Sequence, residues 1–449
     1  MRLKILTIAI LILATSGIAL FLTPDHPVDD GYERFALSIS EHGIYGRIPD
    51  TAYMDRVPAP SVGRPPLYAA FLSVFASLHP PYRDYLVCFY NVDTQNTCDD
   101  RSGLTLVRSA QMIVGLCGVF FVYLTARLLG ARDAFALLTT LIIGLLWTLS
   151  TYLNGYSEAI AIPLHAMLTY FTARCLVSRT RWPDALIIGI VLALLTLTRF
   201  AYQYYLPIIL TLLIIAKFTH DHLNWRQTGG AVFLVIFGFS LFVGPWVVRN
   251  KQVSDEFTLG AGGESGVLMV RMMYNRMNFQ EYVTAFLYWF PIIGDNISER
   301  ILPEAFWQRL NTDTIEGFRQ QGLNQRFDLR SRGYSTEEIN SLAIDAIRNN
   351  IVSHIAVTLP LFIRGSRYAV FFLPLLPFFF YYVIRHKRWT SFLALSAGWF
   401  IWVFHASFTH FNVRYGWPLG FDFAVMAALA ATWIYDDMKQ RKTTKTLPE

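Results

Sequence analysis

The chain alternates long apolar runs with two polar stretches. Residues 5–22 carry no charge, and comparable runs follow at roughly 107–129, 133–152, 158–177, 185–198, 200–216, 229–248, 368–384, 390–408 and 415–434. A helix needs about 20 apolar residues to cross a hydrocarbon core, so the pattern predicts an all-α polytopic membrane protein with about ten transmembrane helices. Two further runs, 67–78 and 286–294, are too short to cross alone and read as interfacial or re-entrant helices. A third, 351–363, reads as lying on the outer surface. Residues 32–42 have the mixed spacing of a short interfacial helix, and Arg64-Pro65-Pro66 opens another amphipathic segment. Ser335 and Glu338 have capping-box spacing ahead of Ile339, Leu342, Ala343 and Ile347, which predicts a helix there.

Charge orients the spans. With residues 5–22 kept as an uncleaved first span, the even count puts both termini on the cytoplasmic side. The loops assigned inside then hold Arg127 and Arg132; Arg174, Arg179 and Arg181; Lys217 and Arg226; and Arg385, Lys387 and Arg388. The tail adds Lys439, Arg441, Lys442 and Lys445, so the bias is consistently positive inside. The polar stretches 23–106 and 249–350 fall outside. This divides the chain into a core, 1–248, that includes the first periplasmic loop; a second periplasmic loop, 249–350; and 351–449, with an interfacial helix, the last spans and a cytoplasmic tail.

Composition narrows the function. With 54% apolar and only 16% charged residues, a soluble surface and a disordered chain are excluded, and a net charge of +6 located in short loops does not indicate nucleic acid. No Gly-rich phosphate loop, His-Glu-x-x-His or Cys-x-x-Cys occurs. Cys88 and Cys98 share the first outer loop and are either bridged or free thiols, whereas Cys117 and Cys175 fall within spans.

The candidate chemistry lies at the outer ends of the spans. Asp29 and Asp30 follow the first span; as neighbouring carboxylates they can supply a general base, or they are a solvated pair near a helix end. Glu158 begins the fourth span, where the helix dipole alone would favour it. Arg199 separates two apolar runs and either snorkels to the interface or binds a lipid phosphate. Arg64, Arg249 and Arg414 offer the same chemistry from other outer ends. His26, His405 and His410 could join a divalent-metal site with Asp29 or Asp30, but scattered histidines at span ends more often form interfacial hydrogen bonds. We therefore expect no required cofactor.

Taken in order, Asp29-Asp-Gly-Tyr-Glu-Arg-Phe, Arg64-Pro-Pro, Tyr156-Ser-Glu-Ala, Leu197-Thr-Arg, Pro245-Trp-Val-Val-Arg-Asn and Arg414-Tyr-Gly-Trp-Pro resemble the C-type (GT-C) glycosyltransferases. The branch is the bacterial one, similar to protein O-mannosyltransferases and lipid A aminoarabinose transferases. Two departures are the lack of a large soluble domain after the last span and of an inserted acceptor-binding domain. The resemblance implies a bacterial inner-membrane enzyme, active on its periplasmic side, that inverts a monosaccharide as it moves from a polyprenyl-phosphate donor to a glycan, lipid or protein acceptor. In that scheme Asp29 is the base, Asp30 and Glu158 orient hydroxyls, and Arg64, Arg199, Arg249 and Arg414 bind the donor phosphate. Tyr32 and Tyr202 contact the sugar or acceptor. The rival readings are a lipid-linked glycan flippase, which would place charges near the bilayer midplane, and an oligosaccharide polymerase or ligase, which would rely on the late loop.

Overall fold

The computed structural model describes residues 31–48, 57–91, 98, 102–150, 156–177, 182–219, 225–260 and 264–445. The predicted first span and the candidates His26, Asp29 and Asp30 lie outside the described residues. Helices α1 (Tyr32–His42), α2 (Pro66–Leu78) and α3 (Pro80–Tyr90) form the first loop. Next come α4 (Ser102–Leu128), α5 (Asp133–Ser150), α6 (Glu158–Val177), α7 (Trp182–Thr198), α8 (Leu206–Thr219) and α9 (Trp225–Ser254). The late loop folds as α10 (Glu264–Tyr274), α11 (Phe279–Tyr288), α12 (Gly294–Ile301), α13 (Glu304–Trp307), α14 (Phe318–Ser331), α15 (Thr336–Asn349) and α16 (Ile351–Gly365). The chain ends in α17 (Leu376–Arg385), α18 (Trp389–Ala394), α19 (Ser396–Phe408) and α20 (Leu419–Lys445). Among the described residues there is no strand, only an isolated antiparallel bridge between Gly46 and Pro60.

Four described helices are long and apolar enough to cross a membrane: Gly103–Leu128, Glu158–Val177, Trp225–Ser254 and Leu419–Arg441. Others assigned as spans, such as Trp182–Thr198, are apolar but shorter, and the pair α15 and α16 is bent by 96°. The helix Trp225–Ser254 leaves most of its apolar window exposed, with Phe233, Phe237, Leu241 and Val248 along its length, as a lipid-facing surface requires.

The chain forms two compact units. Unit 1 comprises residues 1–260, 378–395 and 424–449; unit 2 comprises 261–377 and 396–423. In unit 1, α4 packs on α6, α6 on α7 and α7 on α9. The last contact is close because Gly189 and Gly238 have no side chain: a Cβ on Gly238 would come within 2.8 Å of the Leu186 carbonyl, and one on Gly189 would strike that of Val235. The first loop has its own core, with Tyr32, Phe35 and Leu37 of α1 against Tyr68 and Leu72 of α2 and Tyr82 and Leu86 of α3. Each such buried side chain contributes roughly 1.5–3 kcal/mol. Proline starts α2 and α3 at their first turns, where its missing N–H costs nothing. Gly31 and Gly43 bracket α1 with φ of 74° and 65°, backbone that other residues rarely adopt. Cys88 and Cys98 are joined in a disulfide with Cα atoms 5.8 Å apart.

In unit 2, α10 packs against α14 and α15, α11 against α12 and α16, and α16 against α19. Its interior is polar as well as apolar. Arg271 is fully buried, donating from Nη1 to Asn275 Oδ1 at 2.7 Å and from Nη2 to the His354 carbonyl at 2.8 Å and Thr358 Oγ1 at 2.9 Å. Burial lowers its pKa to about 9, so it remains charged at neutral pH. Arg309 pairs with the buried Glu281 at 2.9 Å. The predicted capping box is present, the Ser335 hydroxyl accepting from the Glu338 N–H at 3.2 Å and the Glu338 carboxylate from the Ser335 N–H at 2.8 Å. The apolar run 286–294 is not one helix. It closes α11 at Tyr288, turns with Ile292 at φ 76° and opens α12 at Gly294, because Pro291 cannot continue a helical hydrogen-bond ladder.

Candidate active site

Glu158 and Arg199 are brought together by the packing of α6 on α7. Glu158 is the first residue of α6 and is fully buried; Arg199 follows the last residue of α7, and its Nη2 donates to Glu158 Oε1. The second carboxylate oxygen accepts from the Ser157 hydroxyl at 3.3 Å. A buried carboxylate of this kind is tolerable because a guanidinium, a hydroxyl and the positive end of a helix all face it. Two turns along α6, His165 Nδ1 lies 2.9 Å from the Tyr202 hydroxyl. Tyr202 is only 1% exposed, so its ring fixes the turn Phe200–Tyr205 to α6 and presents no face at the surface for stacking on a sugar.

Beside this pair lies the aromatic floor of the first loop. Tyr32 is 5% exposed, meets the Tyr68 ring edge-on at 5.3 Å and lies under the Arg64 guanidinium at 4.9 Å. Gln111 of α4 donates to the Tyr68 hydroxyl at 2.7 Å. Burial raises the pKa of Tyr68, and the negative charges of Glu33 and Glu158 add to the rise, which places both carboxylates within electrostatic reach of one phenol. Glu33 was not among the acidic candidates, although it stands four residues after Asp29 in the same motif.

Arg249 occupies a different position from the one expected of a phosphate ligand. Its Nη1 donates to the Ser61 carbonyl at 2.6 Å and its Nη2 to the Tyr45 carbonyl at 3.0 Å, while its plane lies 4.9 Å from the Trp246 ring. Neighbouring groups of the same motif also bind main chain: Trp246 Nε1 reaches the Leu259 carbonyl at 2.8 Å, and Asn250 Nδ2 reaches those of Thr258 and Leu259 at 2.9 and 3.0 Å. The motif at the end of α9 therefore fastens two loop backbones. Tyr45 completes the fastening, its hydroxyl donating to the Arg64 and Pro65 carbonyls at 3.0 and 3.2 Å. Burial pushes the Tyr45 pKa upward and keeps that proton in place. Arg414 lies in unit 2, on the turn Val413–Gly416, where Asn412 caps its N–H at 3.3 Å.

Among the described residues, no three His, Cys, Asp or Glu side chains group to hold a metal ion. What the unit 1 arrangement offers is a buried carboxylate locked to a guanidinium, with a second carboxylate and a phenol close by. Such a set can orient hydroxyl groups and hold a positive charge at a fixed point without moving it.

No curated protein matches the chain by sequence. Two solved structures align along most of it. One is the oligosaccharyltransferase of Archaeoglobus fulgidus, 15% identical, with a TM-score of 0.49, covering 97% of this chain and 50% of that one. The other is ArnT from Cupriavidus metallidurans, 14% identical, with a TM-score of 0.39, covering 94% of this chain and 77% of that one. The chain thus spans about half the length of the Archaeoglobus protein. Residues 101–246, the stretch that carries Glu158, His165, Arg199 and Tyr202, match the family model of dolichyl-phosphate-mannose-protein mannosyltransferases.

Proposed function

We propose that the chain is an inverting glycosyltransferase that moves a monosaccharide from a polyprenyl-phosphate donor to a hydroxyl of a glycan, lipid or protein on the outer face of a bacterial inner membrane. The observation that carries this reading is the buried Glu158–Arg199 pair, held between α6 and α7 inside the stretch that matches the family. The acceptor oxygen attacks the anomeric carbon as the bond from that carbon to the phosphate oxygen breaks. The acceptor proton passes to Asp29, and the polyprenyl phosphate leaves with the bonding electrons. Phosphate is a stable anion, so no general acid is needed. Arg199, held in place by Glu158, faces the charge that develops on the leaving phosphate, with Arg64 contributing from the start of α2. Asp30 and Glu33 orient hydroxyl groups around the reacting carbon. Arg249 serves by fastening the first loop, and Tyr202 by fixing the turn behind Arg199.

Transfer from labelled polyprenyl-phosphate monosaccharides by the purified protein in lipid tests the reading. Asp29→Asn is expected to bind donor as wild type does and to lose roughly 10²- to 10⁴-fold in turnover, the usual contribution of a general base. Donor binding or movement across the bilayer without any turnover in wild type would sink the transferase reading in favour of a carrier.

A further inference from the structure

Unit 2 holds a cavity that the transfer chemistry leaves unused. Its volume is about 520 Å³, and it is lined by Leu323, Asn324, Arg326, Phe327, Arg330 and Ser331. All of these lie on α14, and their spacing over two turns puts them on one face of that helix. The neighbouring face is packed: Phe318 and Gly322 are buried, and a Cβ on Gly322 would come within 2.6 Å of the Val270 backbone in α10. That contact fixes the rotation of α14. Arg326 runs past Gly266 of α10, where a Cβ would lie 3.4 Å from its Cδ and Nη1, and the rest of the cavity face is open. Phe327 is 76% exposed, and Asn324, Arg330 and Ser331 are exposed beside it.

Three kinds of group meet there. Phe327 supplies an aromatic face that gains from being covered. Arg330 donates from Nη2 to the Thr336 hydroxyl at 2.9 Å, which anchors its guanidinium through one of five N–H groups. Burial, and then the charge of Arg330, lower the pKa of Arg326, so the two guanidinium groups, one helical turn apart, stand close together. Ser331 donates to the Asp328 carbonyl at 2.7 Å and presents its oxygen as an acceptor; Asn324 accepts from Gln320 Nε2 at 3.2 Å and presents its amide N–H groups as donors. Asp328, the single carboxylate on α14, pairs with Arg332 at 2.8 Å and does not line the cavity. A carboxylate answers the guanidinium fork, hydroxyls answer the amide and the serine oxygen, and an apolar C–H face covers the phenyl ring. An acidic pyranose carries all three on one ring, and cavities of roughly 300–1,000 Å³ suit small ligands. An aspartate or glutamate side chain supplies only the first.

We propose that the face of α14 formed by Asn324, Phe327, Arg330 and Ser331 binds an acidic saccharide, a sugar ring that carries a carboxylate. As a statement about binding, this is independent of the transfer reaction. That the bound sugar belongs to the acceptor glycan rests on the transferase reading above.

The test uses the full chain in phosphatidylcholine nanodiscs at physiological salt, with equilibrium binding of labelled trigalacturonate. Its methyl ester is the neutral control, and an oligo-aspartate peptide of equal charge is the peptide control. Wild type is expected to bind the acid roughly tenfold more tightly than either. Phe327→Ala and Arg330→Gln, both at exposed positions, are each expected to weaken binding about fivefold or more with the melting temperature unchanged. Arg330→Lys should recover part of the loss, since it restores the charge without the fork. Equal affinity for the acid and its ester overturns the proposal, as does wild-type affinity in both variants. Peptide binding as tight as that of the acid, weakened in Arg330→Gln but not in Phe327→Ala, overturns it in favour of an acidic peptide. Acid binding by a preparation that transfers no sugar supports the site and counts against the transferase reading alone.

Discussion

Glu158 and Arg199 stabilise each other only as a pair. Removing one partner of a buried ion pair leaves the other charge uncompensated, so Arg199→Met is expected to cost about 3–5 kcal/mol, and the double variant with Glu158→Gln less than the sum of the two singles. Chemical denaturation of the three variants checks this, and strict additivity would show that the pair is not coupled. His410 makes a separate prediction. Its pKa falls from the usual 6.5 to about 3 in the folded protein, so between those values the unfolded chain binds a proton that the folded chain does not. Its contribution to stability is complete above pH 6.5 and declines as pH falls below it. Thermal unfolding from pH 7.5 to 4.5 should show the decline, with a flatter profile in His410→Gln. At this scale Glu158 and Arg199 stood out singly, because charges beside apolar runs are rare, but their pairing across two helices did not. Arg249 was legible as important but not as a fastener, since its partners are main-chain carbonyls some 188 and 204 positions away, which no residue pattern records.

The elements were legible in proportion to their hydrophobicity. The runs at 133–152, 158–177 and 185–198 became α5, α6 and α7 within a few residues, and the segment 32–42 became α1. The run at 390–408 instead divides into α18 and α19, and that at 200–216 opens as a short 3-10 turn before α8. Helices α10 and α12 to α14 went unnoticed, and the run 286–294 caught only the end of α11, because each of these helices is either short or polar and is held by packing within unit 2 rather than by a long apolar run. The fastening at the end of α9 yields a prediction about an element rather than a residue. Arg249→Lys keeps the charge but cannot reach the Ser61 and Tyr45 carbonyls together, so backbone amides near Gly46 and Ser61 should exchange hydrogen faster while those of α4 and α6 are unchanged. Uniform acceleration would point to global destabilisation instead.

For the whole molecule, the alternation of basic and neutral loops gave a topology that places both polar stretches on one side. The division into two units was not readable from it, since unit 2 draws on segments separated by a stretch that belongs to unit 1. Side-chain periodicity reports how each segment meets its surroundings, not which segments meet each other. The Cys88–Cys98 bridge gives this topology a chemical reporter. Alkylation of the denatured, unreduced chain should tag Cys117 and Cys175 alone, and reduction should expose two more thiols. The bridge forms only where thiols are oxidised, so a chain inserted the wrong way round would keep that loop among cytoplasmic reductants, with all four cysteines free. If the first loop lies outside, as the charge pattern predicts, each molecule would carry a covalent record of the direction in which it entered the membrane, readable on a gel long after insertion.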